Sequence, residues 1–288
     1  MIEEYLLLEK HSLSVYSFAN LYLWKNSYTI LWNILEESLC IFFQDKSGIF
    51  LYLPPLGKKQ KPETIERLFV WMGRQNQKYP GVSRIENLEE KDVPFYQSLG
   101  YECIEKPGDY LCFTSDMAKL SGRSLKSKRG ACNFFLKHYK NFQYRFYDEK
   151  DKDACLSLHQ NWMQNRQKKN SDPFYQDMLW DSRETLAFVL SDWLSFPIEG
   201  RVIEIEGKIQ AFTFGYPLNQ EIFCILYEIT NLDIKGLAQF IFRQFCSELL
   251  HYSYVNIMDD SYLPNLKAVK LSYRPAACIP SYIAQKYH

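Results

Sequence analysis

The stretch from residue 202 to 273 constrains the fold more than any other part of the chain. It reads strand, hairpin, strand, strand, glycine-marked turn, helix, strand, acidic turn, helix. Residues 202–205 and 208–216 flank Glu206-Gly207, a strong two-residue hairpin signal. A third strand, 221–229, follows the turn at 217–220. Residues 231–236 lead into an amphipathic helix over 237–250, then a strand over 254–258. Asp259-Asp260 and the pair Lys267 and Lys270 close the segment. Long strands feeding a glycine-containing turn at a helix start suit a site where backbone N–H groups meet a phosphate or carboxylate. Gly236 stands at that turn.

The first part of the chain repeats this order. Strands at 28–34, 39–43 and 49–53 precede a helix over 62–79 that Pro62 opens. A strand at 83–86 and a short helix at 89–99 follow. Residues 101–104 and 110–114 then read as a hairpin turning at Pro107-Gly108-Asp109. A helix over 13–24, capped by Ser12, comes before them all. With an extended end over 276–284 completing the second, both halves run β-β-β-α-β-α-β, offset by about 170 residues on the same reading rules. No residue pattern matches between them, so the repetition is architectural. Between them lie a helix over 119–140, a strand over 142–147, a helix over 148–166, and a helix from Asp172-Pro173 to 193. A chain of 288 residues with 47% hydrophobic content has room for two ordinary cores. The expectation is a mixed α/β (α+β) protein of two tandem units, 1–116 and 117–288, the second carrying the site.

The eight cysteines include no CxxC pair and none at metal-ligand spacing from a histidine. They read as buried thiols in a reducing compartment, with no metal site. Glu3 and Glu4 stand where a secretory signal would be positive, and no stretch nears the length of a membrane span. The expected location is the cytoplasm, with contact to a membrane surface left open. There is no P-loop, dinucleotide fingerprint or G-x-S-x-G elbow.

Three features carry chemistry. Residues 117–147 hold no Asp or Glu in a chain of zero net charge. They carry Lys119, Arg123, Lys126, Lys128, Arg129, Lys137, Lys140 and Arg145, interleaved with Phe134, Phe135, Tyr139, Phe142 and Tyr144. Such a local excess marks a surface for a polyanion: tRNA, an anionic lipid or coenzyme phosphates. The second feature is Asn256, Asp259, Asp260, Lys267 and Lys270. Its acids follow a strand end, where ligands bind in α/β sheets, and its lysines are three apart on one helix side. The third is Glu228, polar within an apolar strand and sharing a face with Cys224 and Leu226 on simple alternation. Burial there raises a carboxyl toward the range of a general base. A plain structural alternative stays open for each: a solvated helix face, a capped helix, a strand end at the surface.

The segment 202–273 resembles the core of the acetyltransferase-like (GNAT) fold, as does the turn from Phe95-Tyr96 to Gly100-Tyr101. At 233–238, Gly236 and Ala238 match the last small positions of the GNAT pyrophosphate loop, but Asp233 replaces its Arg or Gln. An acid facing a pyrophosphate disfavours acyl-CoA. A wider resemblance covers nearly the whole chain. Asp116-Met117-Ala118-Lys119-Leu120-Ser121-Gly122-Arg123, Lys126, Lys128, Arg129, Asn133, Tyr147, Trp162 and Arg166 contribute to it. So do Lys235-Gly236, Tyr254-Val255-Asn256, Asp259-Asp260, Leu263-Pro264-Asn265-Leu266-Lys267, Lys270, Ser272-Tyr273, Pro275 and, near the start, Phe18-Ala19-Asn20-Leu21-Tyr22-Leu23-Trp24. These residues resemble the C-terminal domain family of phosphatidylglycerol lysyltransferases, especially its stand-alone relatives.

The resemblance implies a tandem GNAT-like fold and transfer of an aminoacyl group from aminoacyl-tRNA to an amine or hydroxyl acceptor. The acceptor would be a lipid head group, a peptide or a small molecule. An aminoacyl ester is already activated, so no cofactor, metal or covalent nucleophile is required. The enzyme must orient the acceptor, take its proton and stabilise the oxyanion. Glu228 or Asp260 is the expected base, and Lys267 or Lys270 is expected to face the oxyanion or the terminal ribose phosphate. Arg123, Lys126, Lys128, Arg129, Asn256, Asp259, Gly236 and Tyr273 are expected to bind substrate. The rival readings are an acyl-CoA-dependent N-acyltransferase and a non-catalytic module that binds tRNA or anionic lipid. The sequence leaves the oligomeric state open.

Overall fold

The computed structural model describes residues 1–195 and 197–286. Its first elements are α1 (Ile2–Leu6), α2 (Phe18–Leu23), β1 (Thr29–Leu35), β2 (Ser38–Asp45), β3 (Gly48–Leu51), α3 (Pro62–Gln75), β4 (Arg84–Glu89), α4 (Val93–Ser98) and β5 (Tyr101–Phe113). Then come α5 (Thr114–Lys119), α6 (Lys126–His138), β6 (Phe142–Phe146), α7 (Lys152–Gln167), α8 (Pro173–Ser191), β7 (Glu199–Ile205) and β8 (Lys208–Pro217). The last are β9 (Ile222–Thr230), α9 (Leu237–Glu248), β10 (Tyr254–Asn256), α10 (Pro264–Leu271) and β11 (Ala277–Lys286). Contacts divide the chain into two units. The first is Met1–Asp109 with Asp259–Tyr262 and the chain from Cys278 on; the second is Tyr110–Met258 with Leu263–Ala277. The division thus falls after Asp109 rather than after Asp116, and two later segments return to the first unit.

In the first unit the strands run in the order β1-β2-β3-β4-β11-β5. Glu36 and Glu37, with φ of 49° and 67°, form the two-residue turn between β1 and β2. The β3–β4 pair is parallel and needs a crossover, which α3 supplies. Ile65, Leu68, Phe69 and Met72 of α3 are spaced three and four apart and buried, packing on Ile49, Leu51, Ile85 and Tyr96. Burying each of these side chains stabilises the unit by roughly 1.5–3 kcal/mol.

The expected hairpin at 101–114 is instead one continuous strand, β5. Gly108 serves a close approach here. A Cβ on it would lie 2.1 Å from the carbonyl oxygen of Ile279. The expected helix over 13–24 also shortens to α2. The N–H of Ser12 donates to Glu89 Oε1 at 3.1 Å and that of Ser14 to Asp109 Oδ2 at 2.6 Å. Ser17, not Ser12, is the cap: its hydroxyl accepts from the N–H of Ala19 at 3.1 Å.

In the second unit the order is β10-β9-β8-β7-β6, with the last residues of β5 antiparallel to β10. α5, α6 and α9 cover one face around Cys132, Phe135, Ile203, Ala211, Phe223, Ile225, Phe240 and Phe245. On α8, the carbonyl of Ser182 accepts from the Tyr227 hydroxyl at 3.1 Å. The expected helix over 119–140 is broken into α5 and α6. Leu120 and Gly122 take positive φ, 47° and 80°, and Leu120 and Leu125 drop into the core between the helices.

Candidate active site

The parallel pair β9–β10 is hydrogen-bonded only over Ile222–Cys224 and Tyr254–Asn256. Beyond Cys224, β9 runs on to Thr230 without β10 beside it. This opening at the carboxyl ends of parallel strands is where α/β sheets place ligands. Glu228 lies on the unaccompanied run.

Its direction is set by a bulge. Ala211, Thr213 and Gly215 alternate on β8 and face Thr230, Glu228 and Ile225, so Leu226 has no partner. The extra residue reverses the alternation behind it. Glu228 therefore shares a face with Ile225 and Phe223, not with Cys224 and Leu226 as simple alternation predicts. That face looks toward α6 and α9, where the Glu228 charge is felt by Cys132, Cys246 and Tyr273. Burial pushes the half-buried Glu228 carboxyl up to about 8, against the opposing pull of Lys128 and Lys270.

The two lysines arrive from distant parts of the sequence. Lys128 on α6 is half-buried, with Nζ 4.0 Å from the centroid of the Tyr273 ring. Burial lowers its pKa and Glu228 opposes that shift. Lys270 on α10 donates to the carbonyl of Ile257 and, at 3.1 Å, to that of Met258. Those carbonyls are presented because Asn256 ends β10: its side chain accepts from the Met258 N–H at 2.7 Å, and Met258 takes a φ of 60°. The Tyr273 ring packs edge-on to Phe242 at 4.8 Å, and burial pushes its hydroxyl far above the usual range. Glu228, Lys128, Lys270, Tyr273 and Asn256 thus form a carboxyl flanked by two cations at a strand opening.

Other expected site residues lie elsewhere. Lys267 is exposed while Lys270 points inward, so the two do not work side by side. Arg129 donates to the carbonyls of Leu120 and Gly122 and holds the loop between α5 and α6. Arg145 is bound by Asp151 and Glu204 at 2.6–3.0 Å. Asp259 and Asp260 belong to the first unit. Asp259 accepts from the Ser261 N–H at 2.6 Å and Asp260 from the Tyr262 N–H at 3.1 Å, which folds their own loop. Arg123 and Lys126 are exposed, as are Lys119 and Lys137, and among the described residues no carboxylate pairs with these four. Beside them Lys235 Nζ sits 4.7 Å from the centroid of Phe134, which stacks on His138 at 4.0 Å.

Gly236 caps α9 with a φ of +86°. A Cβ there would lie 2.1 Å from the carbonyl oxygen of Ala131, so the backbone of α6 packs directly on this glycine. A cleft of about 710 Å³ opens on the α7 side of the same unit, lined by Arg145, Trp162, Gln210, Asn231 and Asp233. Thr230, two residues beyond Glu228, also lines it. Among the described residues no group of His, Cys, Asp and Glu is arranged to hold a metal ion. None of their helices is long and apolar enough to cross a membrane.

The family model for phosphatidylglycerol lysyltransferase, C-terminal, matches residues 7–285. The chain belongs to that family. No curated protein sequence matches it. A conserved protein of unknown function from Bacteroides thetaiotaomicron superposes with a TM-score of 0.87 at 22% identity, over 98% of this chain and 94% of that one. L-PGS from Bacillus licheniformis gives 0.67 at 13% identity over 99% and 90%. FemX gives 0.56 at 9% identity over 99% and 94%. At these identities the likeness is one of fold, the mixed α/β fold of GNAT-like and Fem-type acyltransferases. Membership of the lysyltransferase family and this fold together point to an acyltransferase of the lysyl-phosphatidylglycerol synthase and Fem kind. Sequence reasoning paired the two lysines of α10 and missed the pairing of Lys128 with Lys270, because only the β9 bulge and the packing of α6 bring both to Glu228.

Proposed function

We propose that this chain transfers an aminoacyl group from aminoacyl-tRNA to an amine or hydroxyl acceptor, with Glu228 as general base. The observation that carries this reading is the Glu228 carboxyl, raised to about 8 at the strand opening and flanked by Lys128 and Lys270. Glu228 takes the proton as the acceptor nitrogen or oxygen bonds to the ester carbonyl carbon. The carbon–oxygen bond to the terminal ribose then breaks, and the ribose oxygen leaves with a proton. A lysine ammonium beside the carboxylate stabilises the oxyanion between those two events. The unpaired cations Lys119, Arg123, Lys126 and Lys137 suit the phosphates of the tRNA, and Phe134 with His138 offers a stacking surface. Asp233 disfavours the acyl-CoA alternative, and the packing of Ala131 on Gly236 gives that glycine a structural reason of its own.

Two measurements test this. Arg123→Glu with Lys126→Glu is expected to weaken binding of bulk charged tRNA about 10- to 100-fold at low salt and to flatten its salt dependence. Unchanged binding would remove tRNA as donor, and tight binding of acetyl-CoA would put coenzyme in its place. The pH dependence is the second. As the base must be ionised, kcat/KM is expected to climb with pH and level off above about 8. Lys128→Met removes a charge that favours the ionised carboxyl, so it should move the midpoint upward. A profile that falls through this range would make Glu228 an acid instead.

A further inference from the structure

β1 is an edge strand without the usual protection. It ends its sheet and, among the described residues, pairs with β2 alone. Residues 26–35 contain no charge, proline or glycine, the features that normally keep an open edge from pairing. Leu31, Trp32 and Ile34 are 40%, 52% and 42% exposed. Trp71 of α3, packed on Phe42 at 4.9 Å and itself 40% exposed, extends the apolar strip on the Leu31 side.

The hairpin turn fixes which backbone groups are open. A two-residue turn makes Leu35 and Ser38 a hydrogen-bonded pair. Alternation then gives the same status to Asn33 with Cys40 and to Leu31 with Phe42. The N–H and C=O groups of Ile30, Trp32 and Ile34 therefore point away from β2. The Ile34 N–H accordingly donates outside the ladder, to Asn33 Oδ1 at 2.9 Å.

We propose that this edge pairs antiparallel with the same edge of a second copy of the chain, about a twofold axis at Trp32. The axis sets Trp32 opposite Trp32 of the second copy, and Ile30 opposite Ile34 in both directions. The backbone groups of these three residues point out of the sheet, so each pair exchanges both of its N–H···O bonds once Asn33 Oδ1 releases the Ile34 N–H. One face of the junction becomes an unbroken apolar row, and on the other Leu31 meets Asn33. No like charges meet anywhere along it. A register shifted by one residue sets open groups against groups already used within each hairpin; among the even shifts, only the axis at Trp32 opposes Ile30, Trp32 and Ile34 solely to one another. The strand is thus complementary to itself, which an isologous contact requires and which favours a second copy over a foreign strand.

The test uses the full chain. Sedimentation or light scattering at about 10–50 µM, a range in which a specific interface is populated, is expected to give twice the mass of one chain. Trp32→Pro removes an N–H that makes no bond within the chain, a place where an edge strand tolerates proline. It and Ile34→Lys are each expected to give a single-chain mass with an unchanged far-ultraviolet spectrum. In a Cys278→Ser background, Trp32→Cys should form a disulfide-linked dimer under mild oxidation, because directly opposed Cα atoms lie about 5.5 Å apart. Asn33→Cys, which faces Leu31 of the second copy, should not. A native chain of single-chain mass would overturn the proposal. So would a dimer that survives both Trp32→Pro and Ile34→Lys, or equal cross-linking of Trp32→Cys and Asn33→Cys.

Discussion

Replacing Glu228 with Gln is expected to cut turnover by about 10²- to 10⁴-fold while tRNA binding stays intact, the usual range for loss of a general base. The same change should make the protein more stable at neutral pH. Glu228 titrates near 8 in the folded chain and near the ordinary 4.5 when unfolded. Between those values the folded state holds a proton that the unfolded state has lost. Stability contributed by the group is therefore full below about pH 4.5 and is lost as pH rises through 8. Glutamine keeps the neutral form at every pH. Allowing for the half-buried setting, the gain at pH 7 should be about 1–2 kcal/mol, or about 3–6 °C in the Tm of a domain this size. Melting curves of both proteins at pH 4 and pH 7, with single-turnover rates beside them, measure the two effects. Lost turnover with a higher Tm is what a functional carboxyl costs a fold. Unchanged turnover would remove Glu228 from the chemistry, whatever the Tm did.

The elements were legible where local rules decide them. Glu206-Gly207 reads as a hairpin turn and is one. Asp172 reads as a helix cap, and its Oδ1 does accept the Tyr175 N–H at 2.9 Å. What failed was each inference that needed the third dimension. Pro107-Gly108-Asp109 has turn composition, yet Gly108 is there so that the backbone of β11 can pass close to it. The final strand lies in order after α10, yet its antiparallel ladder is with β4 of the first unit. Glu228 stands out in the sequence as a polar residue in an apolar strand, but its face does not, since a bulge leaves no mark in the residues of β9. Of the basic run, composition gave the excess but not its division. Arg129 and Arg145 are used in holding structure, Lys128 turns toward Glu228, and Lys119, Arg123, Lys126 and Lys137 are left for solvent or a ligand.

Gly236→Ala separates the two meanings of that glycine with the second large effect. If the turn before α9 cradled a coenzyme pyrophosphate, a methyl group there would lower affinity for acyl-CoA and leave the fold intact. The packing on α6 leads elsewhere. Alanine at a φ of +86° is strained by roughly 1–2 kcal/mol. Its Cβ would also stand 2.1 Å from the Ala131 carbonyl oxygen and 3.2 Å from Phe135 Cβ, both on a helix whose Phe135 and Cys132 are fully buried. Backbone cannot rotate aside as a flexible side chain would, so α6 must shift relative to α9 and open the core around Phe240 and Phe135, now at 4.8 Å. The combined cost should be about 3–5 kcal/mol, in the range of overpacked core sites, and a Tm lower by about 8–15 °C. Because Lys128 rides on α6, turnover in the surviving folded fraction should fall as well. A Gly236→Ala protein that melts like the native chain would show that α6 does not press on this turn.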